Sequence, residues 1–522
     1  MTPAALGLAM GQHAKTGPST AAAPLTPADM ERIGTVDDRY QSYNIEMIEV
    51  TGGEFWAPYG PEGAVATNSA LLQYRPPLDL ANRRLRTLAA ALGPAYVRVS
   101  GTWANNTYFP DADETATEPP AGFTGVLTRR QWQGVVDFAH AVDAEIVTSF
   151  AIGPGTRDEV GAWTPDQALS RVAYTRELGG SIAAAEFMNE PNAAAMGGAP
   201  PGYSAAAFGA DFRRFREFAA RVLPDMVVLG PGSVGETAGV SIHAAGVEGF
   251  IPTRHLLAAS RPATVDAFSY HHYGALSLRC AALAESAAGG EDTGAQALST
   301  TSPDDALSEQ WLRRTDETLA FYRPLRDEFA PSAPFWNTET AEAACGGNPW
   351  AATFLDTFRY LDQLGRLAKQ EVRVVAHNTL AASDYGLLDE TTLLPRPNYW
   401  GALLWRKLMG TTVLESGVPQ PGRHVYAHNL RGTPGGVAVL VINTDMDSSL
   451  TLSIPTAGER YTLSSDRPRS TSVRLNGTEL ALDVAGALPE LHGVPTPAGD
   501  VDFASATITF LALPEAANQA CR

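Results

Sequence analysis

The chain has 522 residues, long enough for a barrel of about 250 to 350 residues with a smaller module beside it. It carries 57 acidic against 38 basic side chains, a net charge of −19, which argues against a broad basic face for nucleic acid or any other polyanion. There is no run of about 18 apolar residues, so no membrane-spanning helix is expected.

Residues 1–35 read as a flexible leader. Its Ala5-Leu6-Gly7-Leu8-Ala9-Met10 stretch is too short and too poorly flanked for a clear signal peptide, and is read as the remnant of one. Tyr43 to Val50 alternates like a strand and is closed by Thr51-Gly52-Gly53. Asp79 to Leu92 then carries apolar positions at helical spacing, and Ala95 to Ser100 returns to strand. Further helices are expected near 128–142, 165–178, 204–222, 253–259, 303–327, 350–366 and 398–409, and strands near 144–150, 182–188, 226–230, 264–270, 333–339 and 372–378. With the first two strands this makes eight in strict alternation with helices, the count for an α/β fold of the (β/α)8 TIM barrel type over residues 36–410. From Gly410 onward the period shortens. Runs such as Gly436 to Asn443, Leu450 to Ile454 and Ala506 to Ala512, separated by Gly, Pro, Asn and Asp, predict a C-terminal antiparallel β-sandwich over 411–517, joined in one reading by an N-terminal strand from about 36–44. Residues 518–522 read as a tail.

Two of the strands end in carboxylates. The apolar run Ile182 to Ala185 leads into Glu186-Phe187-Met188-Asn189-Glu190-Pro191-Asn192, and Ala333-Pro-Phe-Trp-Asn-Thr-Glu339 is followed by a loop holding Gly346 and Gly347. In such a barrel the C-terminal strand ends are where chemistry sits. Asn-Glu-Pro alone could be a simple turn, and Glu339 alone a solvated strand end. As a pair, placed on the fourth and seventh strands, Glu190 and Glu339 match the two carboxyl groups that glycoside hydrolysis requires.

Leu85-Arg-Thr-Leu-Ala89, Gly93-Pro-Ala-Tyr-Val-Arg98, Gly101-Thr102, Glu186 to Asn192, Ser269-Tyr-His-His-Tyr273, Phe354 to Asp362, Asp384-Tyr385, Asp389-Glu390, Asn398-Tyr-Trp400 and Ser472 to Gly477 follow one another in a familiar order. On these segments, which run over most of the chain, the sequence resembles the heparanase and β-glucuronidase family of retaining glycosidases. The resemblance implies Glu190 as acid/base and Glu339 as nucleophile, with Asn189 on the sugar 2-hydroxyl. His271, His272 and Tyr273, leaving the sixth strand beside the nucleophile, are candidates to orient Glu339 or the sugar, against the alternative of a core histidine pair. Asn105 joins the substrate-binding candidates, while Trp336 is read as wall rather than sugar platform.

Uronic acid recognition is implied through Tyr385 and the amides of Gly346 and Gly347. The loop Thr340 to Gly347 departs from the family's animal members, having Ala344 or Cys345 where they carry tyrosine, and His377 stands where they carry glutamine. The long excised segment of the animal enzymes is replaced by the short loop Pro110 to Leu127, and Glu415 to Arg423 stands where a dense positive patch would be expected for heparan sulfate. The expected activity is therefore an exo-acting β-glucuronidase-like hydrolysis of a terminal uronic acid, with no metal or cofactor. An endo-acting enzyme on a uronic acid polymer such as hyaluronan, and a non-catalytic carbohydrate-binding protein, are the rivals. The expected partner is a carbohydrate substrate, without nucleic acid or membrane span, and the oligomeric state is not legible.

The chain has three cysteines, in no metal-ligand spacing. Cys280 and Cys345 lie on the loops after the sixth and seventh strands, so they should be neighbours at the barrel mouth, where a disulfide in an oxidising compartment is expected against the alternative of two reduced, partly buried thiols. Secretion or periplasmic export is the expected location, with the cytoplasm as the alternative. Cys521 would be left free, since Asn429 stands where the family places its partner.

Overall fold

The computed structural model describes residues 23–59, 71–112, 118–237, 240–241, 249–281 and 300–522. The short apolar stretch near the N-terminus and part of the loop after the sixth strand lie outside these residues. Eight parallel strands close into a barrel in chain order: β1 Gln41–Glu46, β2 Ala95–Ser100, β3 Ala144–Ser149, β4 Ile182–Glu186, β5 Val227–Ser233, β6 Ala267–Leu276, β7 Phe335–Ala344 and β8 Val372–His377. The expected TIM barrel is therefore present, and an antiparallel sandwich follows it.

Local chemistry explains most element boundaries. The helix Arg129–Ala141 starts at Thr128, whose hydroxyl accepts from the Gln131 amide while Gln131 reaches back to the Thr128 amide. The alternation that suggested a strand as far as Val50 is overridden at Glu46. Glu49 accepts from the Glu46 amide at 2.7 Å, closing a capping box, and Met47–Thr51 turns into a helix. The expected helix over 303–327 is split into Glu309–Leu312 and Arg314–Phe329.

Strands β6 and β7 run further than their sequence suggests. Each has ten residues, and they stay paired beyond the barrel rim, with His271 beside Glu339, Tyr273 beside Ala341 and Leu276 beside Ala344. This two-stranded extension carries the chain to Cys280 and Cys345, which are joined by a disulfide with Cα atoms 6.2 Å apart. Cys521 is buried and free.

The sandwich has a large sheet containing Met409–Leu414, His424–Leu430, Val437–Asn443, Thr507–Leu513 and Gly458–Ser464, faced by a small sheet of Leu450–Ile454 and Gly499–Phe503. Val425, Val439, Leu452, Val501 and Leu511 fill the space between them. The other face of the large sheet covers the barrel helix Phe354–Lys369. A side chain at Gly365 would run into the Tyr426 ring, and Asp362 accepts from Tyr426 Oη at 2.5 Å and contacts His424 Nδ1 at 2.6 Å.

The N-terminal segment departs from the expected leader. Arg32–Thr35, not 36–44, is the strand that joins the large sheet, pairing with Met409–Leu414, while Ala23–Pro24 pairs with the small one. The expected tail is also folded in, because Asn518 Nδ2 donates to the carbonyls of Pro27 and Met30 at 2.7 and 2.9 Å. These ends are ordered by tertiary hydrogen bonds that carry no local sequence period.

Candidate active site

The barrel floor is filled by Tyr96, Val147, Ala184, Leu229, Trp336 and Val374, so Trp336 is core. Above that layer sits a charged cluster centred on Arg98 of β2, which is 1 % exposed. A guanidinium buried this deeply needs anionic partners for its fixed fork of donors. Arg98 Nη2 donates to Glu186 at 2.8 Å and to Asn189 Oδ1 at 2.7 Å, and Nη1 donates to Glu339 at 2.8 Å. Glu186 accepts again from Thr338 Oγ1 at 2.7 Å.

Glu190 follows β4 in the left-handed region, with φ 48° and ψ 61°. That conformation is strained for a residue with a side chain and must be imposed by its surroundings. Asn105 imposes it from one side: its Oδ1 accepts from the Asn189 amide at 2.9 Å and its Nδ2 donates to the Asn189 carbonyl at 3.0 Å. Expected among the sugar-binding groups, Asn105 instead has both polar atoms committed to the backbone and holds the strand end. Asn189 gives its oxygen to Arg98 and keeps its NH2 without a protein acceptor among the described residues.

His271 Nδ1 lies 2.9 Å from Glu190 and 3.7 Å from Glu339. Tyr273 Oη donates to the other oxygen of Glu339 at 2.6 Å. His272, between them on β6, points to the opposite face, as alternation along a strand requires. It contacts Thr318 Oγ1 at 2.8 Å, and burial together with the charges of Arg359 and Arg314 depresses it to about 3. His272 is thus a neutral core histidine and not part of the site. His377 has the same character, its Nε2 lying 2.8 Å from the Tyr385 carbonyl.

The protonation pattern follows from the charges. Burial pushes Glu190 above the ordinary carboxylate range, and the Glu339 charge adds to this against the hydrogen bond from His271. Burial acts the same way on Glu339 but is outweighed by the charges of His271 and Arg98 and by the Tyr273 hydroxyl, which hold it below that range. His271 is raised to about 10, because the Glu339 charge and the nearby carboxyl groups of Glu186 and Glu190 outweigh its burial and the opposing charge of Arg98, whose Nη2 lies 3.2 Å from Nε2. One oxygen of Glu190, one nitrogen of His271 and one oxygen of Glu339 all lie within 4.8 Å of one another. Such a trio could ligate a cation, but Arg98 Nη1 already brings positive charge to Glu339 there, at 2.8 Å. Neighbouring carboxyl groups biased in opposite directions are suited to acid and base or nucleophile work.

A second group of residues continues the site. Asn378 Nδ2 lies 3.0 Å from Glu46 Oε1, 3.0 Å from Tyr273 Oη and 3.2 Å from Tyr385 Oη, linking Tyr385 to the Glu339 side of the cleft. Gly347 packs on Tyr385, a Cβ there coming within 3.1 Å of the ring. Tyr385, Gly346 and Gly347 are therefore brought together beside Tyr273. Sequence reasoning missed Arg98, Glu186, Glu46 and Asn378. For Arg98 a signal existed, a lone cation within the apolar strand Ala95–Ser100, and for Glu186 a carboxylate ending an apolar run.

A parallel eight-stranded barrel capped by a sandwich, with paired strand-end carboxyl groups at its C-terminal mouth, is the architecture of a glycoside hydrolase, and the protein is one. No family model matches the chain. The resemblance to the heparanase and β-glucuronidase family holds against individual proteins. The chain is similar to Heparanase-like protein 1 of Arabidopsis thaliana, 27% identical over 398 residues that span 72% of this chain and 67% of that one. It is similar to Baicalin-beta-D-glucuronidase of Scutellaria baicalensis, 32% identical over 206 residues but spanning only 37% of this chain and 39% of that one. In structure it resembles a 4-O-alpha-L-rhamnosyl-beta-D-glucuronidase from Fusarium oxysporum, with a TM-score of 0.60 and 13% identity over 94% of this chain and 99% of that one. Among the described residues no helix is long and apolar enough to cross a membrane.

Proposed function

We propose that the protein is a retaining glycosidase that releases a terminal β-linked uronic acid from a glycan or glycoconjugate, with Glu190 as acid/base and Glu339 as nucleophile. The observation that carries this reading is the pairing of the two carboxyl groups around His271, their reactive atoms within 4.8 Å, with Glu190 biased to hold its proton and Glu339 to be ionised. Retaining enzymes keep the pair about 5 to 5.5 Å apart, too close for a water between the second carboxylate and the sugar carbon, so that carboxylate attacks directly. Glu190 then protonates the departing oxygen, and afterwards takes a proton from the water that releases the sugar. The NH2 of Asn189 is available to the sugar 2-hydroxyl.

Preference for a uronic acid is supported by Tyr385 beside Gly346 and Gly347, and by the glucuronidase names among similar proteins. Exo action is favoured by the absence of a basic cluster in the Glu415 to Arg423 loop and by the net charge of −19. The Cys280–Cys345 bridge favours an exported protein. Proton NMR of an aryl β-glucuronide digest should show the β-anomer first, and the matching β-glucoside should react much more slowly. An early α-anomer overturns retention, equal rates overturn the uronide reading, and no turnover on any glycoside overturns the enzyme. Size-exclusion chromatography of a digested uronic acid polymer separates the modes of attack, since a rapid early fall in chain length means endo cleavage.

A further inference from the structure

Arg279 follows the extended strand β6 and is 3 % exposed. Its Nη2 pairs with Asp384 at 2.5 Å, and the guanidinium carbon stacks 4.0 Å from the Tyr59 ring centre. Its Nη1 is buried with no hydrogen-bond partner. An orphaned charged donor in the interior is costly and calls for an acceptor. That donor is directed at Gly346, where a Cβ would come within 2.6 Å of it.

Gly346 and Gly347 both adopt positive φ, 82° and 79°, a conformation glycine enters without strain. Their carbonyls are committed, Gly346 to the Asp384 amide at 3.0 Å and Gly347 to the Tyr59 hydroxyl at 3.0 Å. Among the described residues their amide N–H groups donate to nothing, and the Tyr385 hydroxyl accepts from Asn378 while its own proton has no acceptor. Unpaired donors on three elements thus lie side by side, Arg279 against Gly346 and Gly347 against the Tyr385 ring. The disulfide fixes this convergence, because Cys280 is next to Arg279 in the chain and Cys345 is next to Gly346.

We propose that Arg279 is a specificity residue that binds the substrate's sugar carboxylate through its free Nη1, completing the donor set of the Gly346 and Gly347 amides and the Tyr385 hydroxyl. A carboxylate is acceptor-only and can satisfy several donors together, whereas the hydroxymethyl group of a neutral sugar leaves most of them unpaired. The inference rests on the uronide reading above and adds to it a full positive charge from the β6 loop.

The test compares kcat/KM on aryl β-glucuronide and on the matching aryl β-glucoside. In Arg279→Gln the glucuronide value should fall about 10- to 150-fold, as expected for a lost hydrogen bond to a charged group, and the glucoside value far less, so the selectivity ratio collapses. Arg279→Lys should recover part of the ratio. An equal fall on both substrates makes Arg279 a structural partner of Asp384 only and overturns the inference. Should Arg279→Gln fail to fold, competition on the wild-type enzyme decides: D-glucuronate should bind at least about 10-fold more tightly than neutral D-glucuronamide, and equal binding overturns the inference. Equal wild-type rates on the two aryl glycosides would sink the uronide reading itself, a result distinct from an unchanged ratio in the variant.

Discussion

Replacing Tyr273 by phenylalanine removes one oxygen from the site and little else. That hydroxyl donates to Glu339 at 2.6 Å, and its other neighbour, Asn378 Nδ2, keeps Glu46 and Tyr385 as partners. Glu339 is held below the ordinary carboxylate range against its burial by His271, Arg98 and this hydroxyl, so losing the hydroxyl must raise its pKa. A hydrogen bond to a charged group is worth about 1.5 to 3 kcal/mol, or roughly one to two pKa units. If Glu339 must be ionised to attack, the acidic limb of kcat/KM moves upward by that amount, and activity is lost first at low pH. The measurement is a pH profile on an aryl β-glucuronide whose leaving group needs no protonation, so that Glu190 does not limit the rate. Because Glu190, His271 and Glu339 titrate together, the limb belongs to the group, but the direction of its movement is fixed by the lost donor. An acidic limb unmoved within error, in a variant as stable as wild type, would refute the assignment of Glu339 as the ionised nucleophile.

Glu190→Ala should retain activity on substrates with such leaving groups and lose it on poor ones, and azide should restore turnover as a glycosyl azide; no rescue by azide would count against Glu190 as acid/base. Opening the disulfide, whose cysteines are 65 residues apart, should lower unfolding stability by up to about 4 kcal/mol in the chain-entropy picture, read from denaturant midpoints with and without reductant. Unchanged midpoints once both thiols react with an alkylating agent would contradict this. Burial raises Glu49 to about 8, so between the ordinary carboxylate pKa and that value the native state binds more protons than the unfolded one, and stability must fall as pH rises. Urea midpoints should therefore decline between about pH 5 and pH 8 in the wild type, and less steeply in Glu49→Gln; parallel declines would remove Glu49 as a source.

The barrel was legible because each strand announces itself twice, by an apolar run and by the helix that follows. The strands β3, β4 and β8 begin where their hydrophobic periods begin. Where the reading went astray, a longer-range interaction had overridden the local pattern. The Glu46–Glu49 capping box turned an alternating run into a helix, and the β6–β7 pairing outlasted its apolar core. The ends of the chain were read as loose because their order comes from Asn518, across the sandwich from Pro27 and Met30. Within the site, the strand-end glutamates stood out by position, but the division of labour between His271 and His272 depends on which face of β6 each occupies. Asn105 and Arg98 act on groups about 80 to 240 residues away, separations no local motif records.

The charges of the site account for where its proton rests. Glu186 and Glu339 are both held below the ordinary carboxylate range, with Arg98 and His271 beside them. A third ionised carboxylate at Glu190 would add to the negative charge of a buried cluster, which biases Glu190 toward its protonated form and suits it to serve as the acid in the proposed mechanism. When the sugar becomes bonded to Glu339, that carboxylate loses its charge, and with it goes one of the influences that raise Glu190. Glu190, having already given up its proton, is then stabilised as an anion by His271 at 2.9 Å and is ready to accept a proton from water. His271 faces both carboxyl groups from the same nitrogen, at 2.9 and 3.7 Å, so in the proposed mechanism one ring nitrogen can serve whichever of the two is charged at each step. In the proposed mechanism the alternation of roles between Glu190 and Glu339 thus follows the making and breaking of the bond at Glu339.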